Sequence, residues 1–358
     1  MAKRADSVVG IDLGKHMLKG VALRRKNGTR FVLTSFASRP VPEEFTSPDD
    51  LARELKQLMR DLGGAKSCAF AVSDPAAILR IIEQPDTPIH LLRNALRFNG
   101  LAVLNQDCKE FILDVAPVIT HPCGTSVDKP AGGSSNAAVQ TGVLTQTKYL
   151  VGGILRSQIK QIVAAAAKIR VSAEVVQVAP VCSFNAFEFA YPEVFANEAF
   201  LLLDMGHLES TVLIGSRSEL VLVRSIDYGG KALMQALTAE DALDADAAWL
   251  MIQQGDEGMT EICRNSLARL AMEVRNSIGF FEGQREEGIS RIFVSGGLAR
   301  AETVLQTLSD ELSLPCEIWD PLETCDVALP AAKRQNLPNE FVSLNVACGA
   351  AFEYLKQR

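Results

Sequence analysis

The feature that most constrains the fold of this 358-residue chain is a short pattern written twice: an apolar strand that ends in Asp-x-Gly and turns at once into another strand. The first copy is Ser7–Leu13, which carries Asp12-Leu13-Gly14 at its end and is followed by strands at Lys19–Arg24 and Thr29–Ala37. The second is Ala199–Asp204, which runs into Asp204-Met205-Gly206 and is followed by strands at Ser210–Gly215 and Glu219–Ile226. Apolar alternation and β-branched content identify these segments as strands. After the first triplet, Ser47-Pro-Asp-Asp starts a helix in which Leu51, Leu55, Leu58 and Leu62 recur at helical spacing until Gly63-Gly64 stops it; Ser67–Val72 is then a strand. After the second come a helical region, strand Arg291–Ser295, helix Glu302–Leu312 and strand Cys316–Trp319. A repeated β-β-β-α-β-α unit predicts an α/β protein with two similar lobes facing each other.

Extra material separates the halves. Pro88–Leu104 reads as an amphipathic helix, and Lys109–Ile119 and Ala137–Thr145 as strands joined by the Gly-, Pro- and Ser-rich loop Thr120–Asn136. Leu155, Ile159, Ile162, Val163, Ala166 and Ile169 mark a helix leading into strand Ala173–Val178. The expected plan is a first lobe from 1–85 and 152–195, a small α+β subdomain inserted at 86–151, and a second lobe over 196–358 with its helical region at 230–287.

A net charge of −7 argues against a nucleic-acid surface as the main business of the chain. No apolar run approaches the roughly 18 residues that span a bilayer. The opening MAKRADSVVGIDLG is charged and then enters a strand, which is not the pattern of a signal peptide. Eight scattered cysteines without a Cys-x-x-Cys pair read as reduced thiols packed in apolar segments, not as a zinc site. Together these features predict a cytoplasmic protein.

The two Asp-x-Gly turns are where chemistry is expected. Glycine lets the backbone approach a phosphate, and the carboxylates of Asp12 and Asp204 can hold Mg²⁺ through water. Ser295-Gly296-Gly297-Leu298, between a strand and a helix, suits an adenosine or phosphate group. Gly229-Gly230 follows the strand Glu219–Ile226 in the same manner. His16 and His207 stand just beyond the two turns; if the lobes meet as in the actin-like family that these loops resemble, both approach Asp12 and Asp204, and that quartet is a candidate transition-metal site. Trp249 and Trp319 read as packing residues, and Arg285-Glu286-Glu287 as a solvated helix end.

These loops, in this order, resemble the two phosphate motifs and the adenosine motif of the actin/Hsp70-like ATPases, and more closely the PilM family of type IV pilus assembly proteins, relatives of FtsA. The matching segments are Val9-Gly-Ile-Asp-Leu-Gly14 with Lys19; Leu202-Leu-Asp204-Met-Gly206 with Ser210-Thr211; Tyr228-Gly-Gly-Lys-Ala-Leu233; and Arg275-Asn-Ser277-Ile-Gly-Phe-Phe281 with Arg291-Ile-Phe-Val-Ser-Gly-Gly297. Leu79–Val118 looks like the family's inserted helix and strand. The resemblance implies an actin-like two-lobed fold of duplicated RNase H-like units. It further implies an ATP or ADP site with Mg²⁺ at Asp12, Gly14, Lys15, Lys19, Asp204, Gly206, Thr211, Gly229, Gly230, Gly296 and Gly297. It also implies a scaffold peripheral to the inner membrane, binding the N-terminal tail of a PilN-like membrane partner alongside other assembly-platform components, with a homo-oligomer as a further expectation.

The sequence departs from that pattern at the catalytic positions. Lys15, His16 and Met17 follow the first turn where small hydroxyl residues are usual, and His207 follows the second. Ala179 stands before Pro180 where related ATPases place a glutamate near the attacking water; without that carboxylate a contribution of about 10²–10⁴ in rate disappears. Ala247-Ala248-Trp249-Leu250-Met251 lacks both charged groups of the sugar-contacting Ala-Glu-x-x-Lys. The expectation is therefore a degenerate, pseudo-ATPase site. The alternatives are an active actin-fold ATPase or small-molecule kinase, and an FtsA-like filament former.

Overall fold

The computed structural model describes residues 6–27, 30–41, 47–118, 146–239 and 244–356. In the first lobe, strands Ser7–Leu13 (β1), Met17–Asn27 (β2) and Arg30–Pro40 (β3) precede helix Pro48–Asp61 (α1) and strand Ser67–Val72 (β4). Ile78–Pro85 (β5), Ile89–Leu104 (α2), Phe111–Pro117 (β6) and Gln146–Leu155 (β7) build a separate small unit. Helix Arg156–Lys168 (α3), strand Ser172–Val178 (β8) and helix Ala179–Ala190 (α4) return to the lobe, and Pro192–Asn197 (α5) leads out of it. The second lobe comprises strands Ala199–Met205 (β9), Ser210–Ser216 (β10) and Glu219–Ile226 (β11), then helices Gly230–Ala239 (α6), Ala245–Gln253 (α7) and Glu257–Gln284 (α8). It continues with Ile292–Gly296 (β12), Glu302–Leu312 (α9) and Cys316–Ile318 (β13). Asp326–Val327 (β14), Ala331–Glu340 (α10) and Asn345–Lys356 (α11) close the chain.

The duplication is exact at the level of topology. One sheet runs β14-β3-β2-β1-β4-β8 and the other β11-β10-β9-β12-β13, so each lobe places its first strand between its second and its fourth. The first strand pairs antiparallel with the second and parallel with the fourth in both (β1 with β2 and β4; β9 with β10 and β12). This is the expected α/β, actin-like architecture of two RNase H-like units. Its consequence is positional: Asp12 and Asp204 both fall at the carboxyl ends of central, buried strands, where open α/β sheets gather their ligand sites. Helix α1 starts where the sequence said it would, with the Ser47 hydroxyl accepting from the Asp50 amide and Pro48 in the first turn.

Three details differ from the sequence reading, and one lies beyond what the structure describes. The small sheet, ordered β5-β7-β6, takes in Ile78–Pro85, ahead of the boundary drawn at 86, because β5 pairs along its whole length with β7. The expected strand at 137–145 and the loop 120–136 lie outside the described residues; after β6 the next described strand of the small unit is β7. The last part of the chain does not stay with the second lobe, to which 196–358 was given: β14 adds an edge strand to the first sheet, and α11 packs on β1 and α4. Finally, the end of α8 is not simply solvated, because Arg285 donates to the buried Glu219 at 2.7 Å, and Glu287 accepts from Ser216 at 2.6 Å.

The return of α11 follows from its composition. Ten of its twelve residues are buried, and a helix apolar on every side needs partners all round. Close approach is bought with small residues: a Cβ on Gly10 of β1 would stand 2.0 Å from the Ala347 carbonyl oxygen, and one on Gly349 would stand 1.7 Å from that of Cys182. Five of the described cysteines, Cys68, Cys108, Cys182, Cys263 and Cys348, are buried free thiols used as packing.

Gly349→Ala should therefore destabilise the protein by about 3 kcal/mol, read as a lower midpoint in chemical denaturation, because neither backbone can yield without moving a core helix. Gly279→Ala, on the exposed side of α8 where an added Cβ meets nothing, should instead leave stability unchanged or raise it by about 0.5–1 kcal/mol.

Candidate functional site

The two Asp-x-Gly hairpins meet across one crevice. Asp12 pairs in register with Lys19 across the β1–β2 hairpin, as Asp204 pairs with Thr211 across β9–β10. Each aspartate also accepts from a serine on the parallel neighbour strand or just past its end: the Ser73 hydroxyl donates to Asp12 Oδ1 at 3.0 Å, and the Ser295 hydroxyl to Asp204 Oδ1 at 2.7 Å. Both turns line a single cleft of about 730 Å³. Asp12 is 3% exposed, and burial pushes its carboxyl above the ordinary range. Lys19, with Nζ 3.4 Å from Oδ2, pulls it back, and the Asp204 charge pushes it up further.

Beyond the turns, His16 and His207 stack face to face, ring centroids 4.3 Å apart and planes within 12°. This contact joins the lobes. Burial lowers the His207 pKa, and His16 and Lys231 lower it further. The stack also disposes of the metal quartet. Stacked rings keep their nitrogen lone pairs in two roughly parallel planes a ring's thickness apart, and among the described residues no group of three or more His, Cys, Asp or Glu is arranged to hold a metal.

A second bridge lies deeper. The side-chain amide of Asn345, at the start of α11, lies 3.2 Å from Asp204 Oδ1, 3.1 Å from the Ser295 hydroxyl and 3.0 Å from the Ser183 hydroxyl on α4. Asn345, Ser295 and Ser183 are each 1% exposed, so this buried network ties the second-lobe aspartate to the first lobe. None of Ser73, Ser183 or Asn345 was singled out in the sequence, because a lone serine or asparagine carries no spacing signal.

Most sequence-predicted residues come together here. Gly14, Lys15, Lys19, Gly206, Thr211, Gly230, Gly296 and Gly297 line the cleft with the two aspartates and both histidines. Gly229 does not line it; a Cβ there would meet the Gly206 and His207 carbonyls at 2.7 and 2.6 Å, so its place is under the second turn. Gly296-Gly297 opens onto a 3-10 turn, Gly297–Arg300, and not directly onto an α-helix. Trp249 does more than pack: with Met234 and Leu298 it forms an apolar wall beside that loop. Ala179 sits in the cleft wall at the first position of α4, so no carboxylate stands there.

The groups that would hold phosphates are already engaged. Lys15 is paired with Asp74 at 2.7 Å and Lys19 with Asp12. The amides of Gly230 and Lys231, which open α6, donate to the carbonyls of Gly206 and His207 at 2.9 and 2.8 Å and are not free for an anion. The cleft therefore offers an apolar wall at Trp249, and its donors between the turns are engaged while the histidines are stacked.

A family model for the type IV pilus assembly protein PilM matches residues 141–355, well over half of the chain. The chain belongs to the PilM family. No curated protein matches its sequence. Among solved structures, a PilM–PilN type IV pilus biogenesis complex aligns over 99% of this chain and 99% of that one, with a TM-score of 0.79 and 23% identity. The ethanolamine utilization protein EutJ from Carboxydothermus hydrogenoformans aligns over 98% and 91%, at 0.55 and 12%. MreB 5 of Spiroplasma citri, bound to AMPPNP, aligns over 97% and 95%, at 0.50 and 11%. These likenesses establish the shared actin-like fold.

The histidine stack makes stability depend on pH with a definite sign. A folded pKa below the unfolded value of about 6.5 means that the unfolded chain binds the proton more tightly. The His207 contribution is thus complete above that pH and is lost as pH falls through the lowered folded pKa. His207→Phe keeps a ring in place without the charge, so thermal melts should show the variant gaining on the native protein as pH is lowered from 7.5 to 5.5. An unchanged difference across that range would show that His207 titrates freely.

Proposed function

We propose that this chain is a scaffold of a type IV pilus assembly platform, working on the cytoplasmic face of the inner membrane, and that it holds the N-terminal tail of a PilN-like membrane protein. The match to the PilM family model supports the process, and the full-length likeness to a PilM–PilN complex supports the partner. We assign the tail to the small β5-β7-β6 unit, the part of the chain that the family resemblance implies for it. Among the described residues no helix is long and apolar enough to cross a membrane, so attachment through such a partner is consistent with the fold.

The single observation that favours a scaffold over an enzyme is the state of the cleft. Its turns are held shut by His16 on His207, its lysines are spent on Asp12 and Asp74, and Ala179 offers no base. ATP or ADP with Mg²⁺ would need the stack to part and Lys15 and Lys19 to exchange carboxylate for phosphate. Asp12 and Asp204 would then face the ion through water, with the adenosine beside Gly296-Gly297 and Trp249. No hydrolytic step is assigned to the site.

Calorimetric titration with a synthetic tail from the PilN-like partner should give saturable binding in the absence of nucleotide. Phosphate release from Mg-ATP should stay at the background rate and be unaffected by Asp12→Asn. Absence of tail binding would remove the scaffold reading, and phosphate release that Asp12→Asn abolishes would make the protein an ATPase.

A further inference from the structure

Helix α2 of the small unit has two apolar faces and only one of them is used. Leu92, Leu96, Gly100 and Leu104, spaced every four residues, are buried against the small sheet. On the opposite side Leu91, Phe98 and Leu101 are 52%, 78% and 68% exposed. Single exposed apolar side chains are ordinary, but Leu91 and Phe98, seven residues apart, share one ridge, and Leu101 follows just past a kink at Asn99. Phe98, the most exposed of the large apolar residues, lies between the other two.

The charge on the helix is equally one-sided. In a chain of net charge −7, the sixteen residues of α2 include Arg93, Arg97 and His90 and no acid. At 100° per residue Arg97 falls between the buried face and the exposed ridge, while Arg93 is at the edge of the helix nearest the small sheet, its side chain exposed. From its position the Arg97 guanidinium can reach along the ridge while its stem lies on apolar surface. Arg93 pairs with Asp114 of β6 at 2.5 Å, but that carboxylate is 82% exposed, and such a pair is exchanged for another anion at little cost. Arg97 makes no ion pair with a described residue.

We propose that this face of α2 lies on an anionic phospholipid surface, with Leu91, Phe98 and Leu101 in the headgroup–acyl boundary and Arg93 and Arg97 on lipid phosphates. An apolar ridge with arginine on its flank, on a helix without acids, is the composition of an interfacial helix. A second copy of this chain is a poorer occupant. A two-fold contact through the same face would set Arg93 and Arg97 against their own copies, whereas an anionic surface complements them. The inference stands on the helix alone and does not depend on the identity of the tail partner.

Vesicle flotation of the full chain tests it. Vesicles of phosphatidylcholine with phosphatidylglycerol should carry the protein, those of phosphatidylcholine alone should carry much less, and binding should fall as salt is raised. Phe98→Ser with Leu101→Ser should lower the bound fraction at least roughly tenfold, and Arg97→Glu should lower it on anionic vesicles. Circular dichroism and thermal melts identical to the native protein would show that these exposed changes leave the fold intact. No flotation of the native protein, or flotation indifferent to the substitutions, would overturn the proposal. So would a native dimer that Phe98→Ser dissociates in the absence of any vesicle binding, which would assign the face to a second copy.

Discussion

Two aspartates at the ends of central strands, facing one another across a narrow crevice, impose the electrostatic constraint around which this molecule is organised. A buried carboxylate is costly unless donors or a cation reach it, and a second carboxylate nearby raises the cost. Each lobe meets the requirement locally, with a serine from the parallel neighbour strand; the first lobe adds Lys19. The remaining donor for Asp204 comes from the far end of the chain, through Asn345. That one amide needs α11 to return between the lobes, which in turn needs glycine at 10 and 349 and buried small residues along the helix. Asp12 and Asp204 are thus the anchors of an internal network.

The duplicated fold was legible because its signals are local and written twice. Apolar alternation, the capping residues around Ser47 and the Gly63-Gly64 stop each act within a few residues, and the recurrence of Asp-x-Gly fixed how the halves correspond. What could not be read depends on partners distant in sequence. Ile78–Pro85 becomes part of the small sheet only because β7 pairs with it, and α11 leaves the second lobe because the cavity that accepts it is formed by β1 and α4. Arg285 looked solvated because its partner, Glu219, lies sixty-six positions away. In the site the same division holds. The glycines and aspartates were found by spacing. Ser73, Ser183 and Asn345 were not, since a hydrogen bond to a buried carboxylate leaves no pattern in the chain.

His16 and His207 show both the reach and the limit of that reading. Their positions beyond matched turns correctly brought them to one place, and the stack replaces the metal quartet for a geometric reason. A pair of parallel imidazoles is a contact between surfaces, not a chelate. The contact lies between the two turns and leaves the side of the cleft lined by Trp249 open. On the scaffold reading, the arrangement of the lobes held by the stack is a fixed frame for partners. The small unit carrying α2 is then the part of the frame free to engage what lies outside it.

The most direct test of this account is a double-mutant cycle of His16→Ala and His207→Ala, with unfolding free energies measured at pH 8, above the lowered His207 pKa. If the hairpins close on one another as described, the two changes are coupled by about 0.5–1.5 kcal/mol, the value of a stacked aromatic pair. Strict additivity would mean that the turns do not touch in solution, and the closed crevice, with the scaffold reading built on it, would be wrong.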